Sequence, residues 1–198
     1  MTTSKRAAKF GLKNWMTLEE TDKPVVFDAD KALIADLGER CSVKSLVESV
    51  KAKNGKGADE AFSDFGREVM EATIEFVDGK YMDRTGEMIK RVAKQTGLTF
   101  PHEVQRYVEL SLIGLRPFDR WNIVESTINN VAIQIQSCSV NKALRDAGAV
   151  GTDEVPCQAM CLASFAVAAG KTGDAVSMEL RKTLPKDGLC EFCLSKQN

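Results

Sequence analysis

The spacing of apolar residues changes beyond Trp121, and that change most constrains the fold of this chain. Over residues 59–115, apolar side chains recur every three or four positions, which is typical of amphipathic helices. Beyond Trp121 the spacing falls to two, because Val131, Ile133 and Ile135 alternate with small or polar residues as in a half-buried strand. Helices followed by a small sheet predict an α+β domain, with an antiparallel sheet, helices packed on one face and a helical N-terminal half.

Glycine and proline divide the helical part into segments. The lysine- and glycine-rich loop at 51–57 cannot bury an apolar face, and it is the predicted boundary between an N-terminal appendage, residues 1–57, and an α+β ligand- or metal-binding domain, residues 58–198. Gly38, Gly97 and Pro117 mark helix ends. The predicted helices cover 30–37, 43–50, 59 to a stop at Asp78-Gly79, 82–96 and 101–115.

The C-terminal part combines two further helices with two strands. A short helix is predicted over 140–147, and a nearly apolar, buried helix over 157–169. Two-residue alternation over 176–181, followed by the apolar run 189–194, predicts an antiparallel hairpin. Its expected connection is an Asp-Gly turn at Asp187-Gly188.

Composition excludes several classes of partner. With 27 basic and 28 acidic side chains, the chain has no strong field to attract nucleic acid or an anionic membrane. No segment has the roughly 20 apolar residues that a membrane-spanning helix needs, and the N-terminus lacks the apolar stretch of a secretory signal. We therefore expect a cytoplasmic protein. Its six cysteines stay reduced there, so metal binding, catalysis or packing must account for them.

Four of the cysteines fall in two close pairs. Cys157 and Cys161 lie one turn apart on the buried helix, so both face the same side. Cys190 and Cys193 lie in the last strand, where a local turn would be needed to bring both sulfur atoms to one side. Four thiolates suit zinc or an iron-sulfur cluster. The pattern predicts a metal site of these four cysteines, with Cys138 as an alternative ligand.

Packing is the competing interpretation of these cysteines. Free cysteine is among the most buried residue types, and the apolar helix around Cys157 and Cys161 favours this interpretation. His102, the single histidine, follows Pro101 at a helix start, where a cap or surface position is favoured over a catalytic one. The glycines at 55–57 lack the Ser or Thr of a phosphate-binding loop, which disfavours nucleotide binding.

Two C-terminal motifs carry a resemblance to known families. The segment 183–192 combines Thr-Leu, an Asp-Gly turn and Cys-x-Phe, and the segment 138–148 runs from a cysteine through a helix to a glycine. Together they resemble the 4-vinyl reductase-type and L-2-amino-thiazoline-4-carboxylate hydrolase-like families over residues 130–194, about a third of the chain. The resemblance implies an α+β fold and a pocket for a small, fairly apolar or heterocyclic ligand, with cysteines near its wall.

The chain departs from the hydrolase-like pattern at three positions. Ser139 stands where that family has a proline, Leu162 stands where a carboxylate would follow the middle cysteine, and Cys193 is additional. The extra thiol fits metal binding better than hydrolysis. We therefore expect a cytoplasmic small-ligand-binding or accessory protein with a cysteine-ligated metal site, holding zinc or an iron-sulfur cluster.

Two other functions stay open from the sequence. One is a hydrolase of a small C–N or C–S heterocycle that uses Cys138 or Cys161 as nucleophile, since an activated thiol attacks such substrates. The other is a structural protein in which the helical layer of residues 59–115 forms a homodimer face. The candidate general bases for the hydrolase are His102, Glu179 and Glu191.

Overall fold

Helices come first and the sheet comes last, as the change of spacing predicts. The computed structural model describes residues 31–53, 57–81, 84–149 and 157–197. The α+β class, with an antiparallel sheet and a helical N-terminal half, is confirmed. The elements are α1 Lys31–Arg40, α2 Val43–Ala52, α3 Ala58–Glu75, α4 Arg84–Thr96, α5 His102–Leu115, β1 Trp121–Ser126, β2 Asn130–Ile135, α6 Ser139–Asp146, α7 Gln158–Lys171, β3 Val176–Lys182, α8 Leu184–Asp187 and β4 Cys190–Lys196.

The four strands form one sheet in the order β1-β2-β4-β3, and every neighbouring pair is antiparallel. In the register of the two central strands, Ile133 lies opposite Phe192 and Ile135 lies opposite Cys190. These side chains belong to the hydrophobic core, so we call this side of the sheet the core face. The alternate residues of the same strands, among them Gln134 and Cys193, lie on the opposite side, the far face.

Helix α7 packs between α3 and the core face. Gly66 of α3 makes this close approach feasible, because a Cβ atom there would lie 2.1 Å from the carbonyl oxygen of Met160. On its other side, Phe165 of α7 meets Phe192 of β4 edge to face, with ring centroids 5.2 Å apart. The apolar composition of α7 thus reflects contacts with both neighbours.

The first two helices share this core. Leu37, Leu46 and Val50 are buried in the same cluster as the side chains of α3, α5 and the sheet. Leu37 lies directly against Gly114 of α5, where a Cβ atom would come 2.5 Å from its Cδ2. Residues 31–52, assigned to an appendage from the sequence, therefore pack into the core of the domain.

Several local predictions need correction. The antiparallel pairing of β3 and β4 is confirmed, but their connection is not a two-residue Asp-Gly turn. It contains the short helix α8 and ends at Gly188, whose φ is +74°. Helix α1 continues past Gly38 to Arg40, and α3 continues into a π-helical turn, Phe76–Lys80. Strand β1 was not predicted, because its inward Trp121 and Ile123 are only half buried at the sheet edge.

None of the helices in the described ranges is both long and apolar enough to cross a membrane.

Candidate functional site

Four cysteines from different parts of the chain line one small cavity above the core face, which we call the thiol cavity. Its volume is about 10 Å³, room for one water-sized sphere. The cysteines are Cys138, Cys157, Cys161 and Cys190. Three of them are buried, and Cys138 is half buried.

The fold explains this convergence. Cys157 and Cys161 lie just before α7 and in its first turn, on one side of the helix. Cys190 opens β4 opposite Ile135, the last residue of β2, and Cys138 follows β2 as the N-cap of α6. The last residue of β2 and the first residue of β4 therefore lie side by side at one end of the sheet, next to the start of α7.

Cys193, a predicted fourth ligand, does not line this cavity. Strand β4 pairs regularly with β2 from Cys190 to Ser195, so no local turn brings Cys190 and Cys193 to one side. Cys193 lies opposite Ala132 on the far face, with its Sγ 3.7 Å from Ser195 Oγ. The structure brings together Cys157, Cys161 and Cys190, and Cys138 joins them where Cys193 was expected.

A buried arginine lies among the sulfur atoms. Arg116, 4% exposed, donates from Nη1 to Cys138 Sγ at 3.5 Å and from Nη2 to Cys161 Sγ at 3.8 Å. Its Nε faces Asp119 Oδ2 at 3.7 Å, and neither atom has a hydrogen-bond partner within the described ranges. Asp119 Oδ1 accepts from the Ser139 backbone N–H at 2.7 Å. Among the described residues, the hydrogen-bond acceptors of this guanidinium are therefore the two sulfur atoms.

Burial controls the ionisation of the inner thiols. It raises the pKa of Cys157 to about 12 and that of Cys190 to about 11. Burial also raises the pKa of Cys161, although the nearby Arg116 guanidinium partly opposes the change. These three thiols are thus protonated at neutral pH unless a further cation enters the cavity.

Cys138 also faces a much larger, open pocket, which we call the outer pocket. Its volume is about 520 Å³. Cys138, Asn141 and Leu184 line both the outer pocket and the thiol cavity, so they form the wall between them. The backbone N–H of Asn141 donates to Cys138 Sγ at 3.4 Å, as expected of an N-cap contact.

The three candidate bases lie elsewhere. His102 is exposed at the start of α5, and Glu179 is exposed on β3, where it pairs with Arg181. Glu191 lies on the far face with Gln134 and Lys182. None of the three lines the thiol cavity or the outer pocket.

In the part of the chain that the structure describes, no group of three or more His, Cys, Asp or Glu side chains is arranged to hold a metal ion. The cysteine side chains line a common cavity without converging on one point in these rotamers. The four cysteines therefore share a cavity but do not form a metal-binding group as they stand.

Sequence reasoning missed the polar residues of this site. Arg116 looked like a helix terminator before Pro117, and Asp119 and Asn141 belong to no motif. Their positions depend on contacts between α5, the loop after it and α6, which no local pattern encodes. The only available signal was the proximity of Asn141 to Cys138 along the chain.

Comparison of the chain with protein-family models, with curated proteins and with solved structures finds no match.

Proposed function

We propose that this is a cytoplasmic accessory or ligand-binding protein that holds one soft metal ion in the thiol cavity. Zinc is the ion that we favour. The proposed ligands are Cys138, Cys157, Cys161 and Cys190. The observation that carries the proposal is the buried guanidinium of Arg116, whose acceptors are two of these sulfur atoms.

The buried charge of Arg116 supports this proposal. A guanidinium keeps its charge at any physiological pH, and burying it without compensation is costly. Asp119 Oδ2 lies 3.7 Å from Nε and offsets part of this charge, but it accepts no hydrogen bond from the guanidinium, and a neutral thiol is a weak acceptor. Thiolates would compensate the charge of Arg116, but burial keeps the inner thiols protonated. A bound cation would allow them to ionise.

The donor set and the space fit a single ion. Four thiolates form a tetrahedral zinc site with two net negative charges, and the guanidinium of Arg116 lies beside two of the sulfur atoms. An iron-sulfur cluster adds several iron and sulfide atoms, whereas the cavity has room for about one atom-sized sphere. When bound, the ion would supply a cross-link between α6, α7 and β4 and would hold the cysteines as thiolates. The cysteine side chains must rearrange to bind it, because the described residues hold no metal-binding group as they stand.

The hydrolase alternative has one observation in its favour. Cys138 faces the outer pocket and accepts hydrogen bonds from Arg116 and from the Asn141 backbone N–H, two donors that stabilise negative charge on sulfur. In this alternative Cys138 attacks a small heterocycle bound in the outer pocket. Asp119 and Asp146 line that pocket and replace the three predicted bases as candidate proton acceptors.

Metal analysis tests the proposal. The reduced protein, purified without oxygen, is expected to contain or take up one zinc ion per chain, and cobalt in its place should give a thiolate-to-cobalt absorption band. Cys161→Ser should weaken zinc binding by more than about a hundredfold, as expected for loss of a ligand. Cys41→Ser is the matched control, because Cys41 is equally buried but lies in the core outside the cavity. A reduced, folded protein that takes up neither ion would refute the proposal.

A further inference from the structure

Among the described residues that line the outer pocket, one cationic side chain has no counter-ion. Lys142 and Asp146 pair with each other along α6. Asp119 accepts from the Ser139 backbone and faces Arg116. Arg145 also lines the pocket, makes no ion pair among the described residues, and has a buried Nε with no hydrogen-bond partner there. Lys142 thus pairs with Asp146 and Asp119 with Arg116, and among the described residues of the pocket Arg145 is the charged side chain that has no ion pair.

We propose that the outer pocket is a binding site for a small organic carboxylate, which Arg145 holds with its other end against Cys138. The pocket shares Cys138, Asn141 and Leu184 with the thiol cavity, and we assign the carboxylate to the metal-free protein, in which Cys138 faces the pocket. The ligand class follows from three features of the pocket: its size, its one free guanidinium, and the thiol in its wall.

The chemistry of Arg145 selects the carboxylate. A guanidinium offers paired N–H donors that match the two oxygens of a carboxylate. A single free guanidinium, with Lys142 already paired, suits a singly charged group better than a phosphate. The volume of about 520 Å³ falls in the range of small-ligand sites.

The remaining walls are suited to the uncharged part of such a ligand. Leu184 and Phe118 supply apolar surface, and the ring of Phe118 is 92% exposed at the pocket, available to cover a ligand. Cys138 lies in the same wall as Leu184. A carboxylate held at Arg145 would therefore place the other end of a short molecule beside the Cys138 thiol.

A pair of alkylating reagents tests this geometry directly. Iodoacetate carries a carboxylate and iodoacetamide is its neutral analogue; with either, a sulfur–carbon bond forms, iodide leaves with the electrons of the carbon–iodine bond, and the thiol proton passes to solvent. The reduced, metal-free full chain is treated with each reagent, and alkylation of Cys138 is followed by peptide mass spectrometry. We expect iodoacetate to react with saturation, and propionate to protect Cys138 from it.

The ratio of the iodoacetate rate to the iodoacetamide rate isolates the role of Arg145. It should fall by about tenfold or more in Arg145→Gln, because a charge-assisted pair is lost, and should recover in part in Arg145→Lys. Arg181→Gln, an exposed arginine on β3 that does not line the pocket, is the matched control and should leave the ratio unchanged.

Three results would overturn the inference. The first is an equal ratio in the wild type and in a folded Arg145→Gln protein. The second, which does not depend on any variant, is a lack of protection of wild-type Cys138 by propionate. The third is stronger protection by inorganic phosphate than by propionate, which would assign the pocket to phosphate. Because these measurements use metal-free protein, their failure is distinguishable from a failure of zinc binding.

Discussion

The two faces of the sheet use the same strand in opposite ways. On the core face, Cys190 lies beside an apolar cavity with three other cysteines and a buried arginine. On the far face, Glu191 accepts from Gln134 Nε2 at 2.6 Å and from Lys182 Nζ at 3.0 Å, so its polar groups already have partners. The phase of a strand, more than the spacing of its cysteines along the chain, thus decides which of them can form a site.

The largest expected effect contrasts the two cysteines of β4. If zinc binds as proposed, Cys190→Ser should weaken its binding about a thousandfold, because a proposed ligand on the core face is lost. Cys193→Ser should leave it within about twofold, since Cys193 faces away from the cavity. Zinc affinity is measured by competition with a chelator of known affinity. Equal losses in the two variants would remove the distinction between the faces.

The next effect concerns the helix that covers the core face. Gly66→Ala should lower the free energy of unfolding by about 3 kcal/mol, because the new Cβ would overlap the Met160 carbonyl oxygen and push α7 away from α3. Gly170→Ala, in the last turn of α7, meets no atom within 4 Å and should raise it by up to about 1 kcal/mol. Urea unfolding measures both; a neutral Gly66→Ala would contradict the tight packing.

Alkaline pH should destabilise the core face of the metal-free protein. In the folded protein the pKa values of Cys157 and Cys190 are about 12 and about 11, above the ordinary value of 9.0 for a cysteine thiol. Their contribution to stability is therefore full below pH 9 and is lost as the pH rises towards 11 and 12. Each thiol should cost about 1.4 kcal/mol per pH unit in this window.

Urea unfolding at pH 8, 9 and 10 measures this slope, and Cys157→Ala should reduce it. An identical slope in the wild type and the variant would show that the Cys157 thiol is not held protonated by its surroundings. Zinc should abolish most of the effect, because thiolates bound to a metal have already lost their protons.

The smallest effect lies on the far face and at the opposite end of the pH scale. Hydrogen bonds from Gln134, and then from Lys182, lower the pKa of Glu191 below its ordinary value. Its stabilising contribution is thus present above pH 4.5 and is lost as the pH falls through the lowered pKa. Glu191→Gln should cost less than about 1 kcal/mol at pH 7 and should flatten the acid side of the stability profile. A variant with the wild-type acid profile would contradict this assignment.

Most elements could be predicted because their signals are local. The three- and four-residue spacing of α3, α4 and α5 arises within each helix, and the alternation of β2 arises within one strand. Strand β1 was missed because an edge strand buries less of its inward side and shows weaker alternation. The prediction of an Asp-Gly turn was wrong, because Leu184–Asp187 form a short helix instead. Gly188, in the left-handed conformation, ends this helix.

For the candidate site too, only the local features could be predicted from the sequence. The pairing of Cys157 with Cys161 follows from helix geometry alone, and the strand rule already places Cys190 and Cys193 on opposite sides. Which of those two joins the helix pair depends on the side that α7 covers. The positions of Arg116 and Arg145 at the two cavities depend on contacts that no neighbouring residue specifies.

The sequence by itself determined the α+β class, the helical first half and the shared side of Cys157 and Cys161, because backbone hydrogen bonding sets these periods within a few residues. Only the tertiary structure decided that Cys138 joins the thiol cavity, that Cys193 does not, and that Arg116 lies between two sulfur atoms. Those outcomes rest on strand order, register and helix packing, which join residues far apart in the chain.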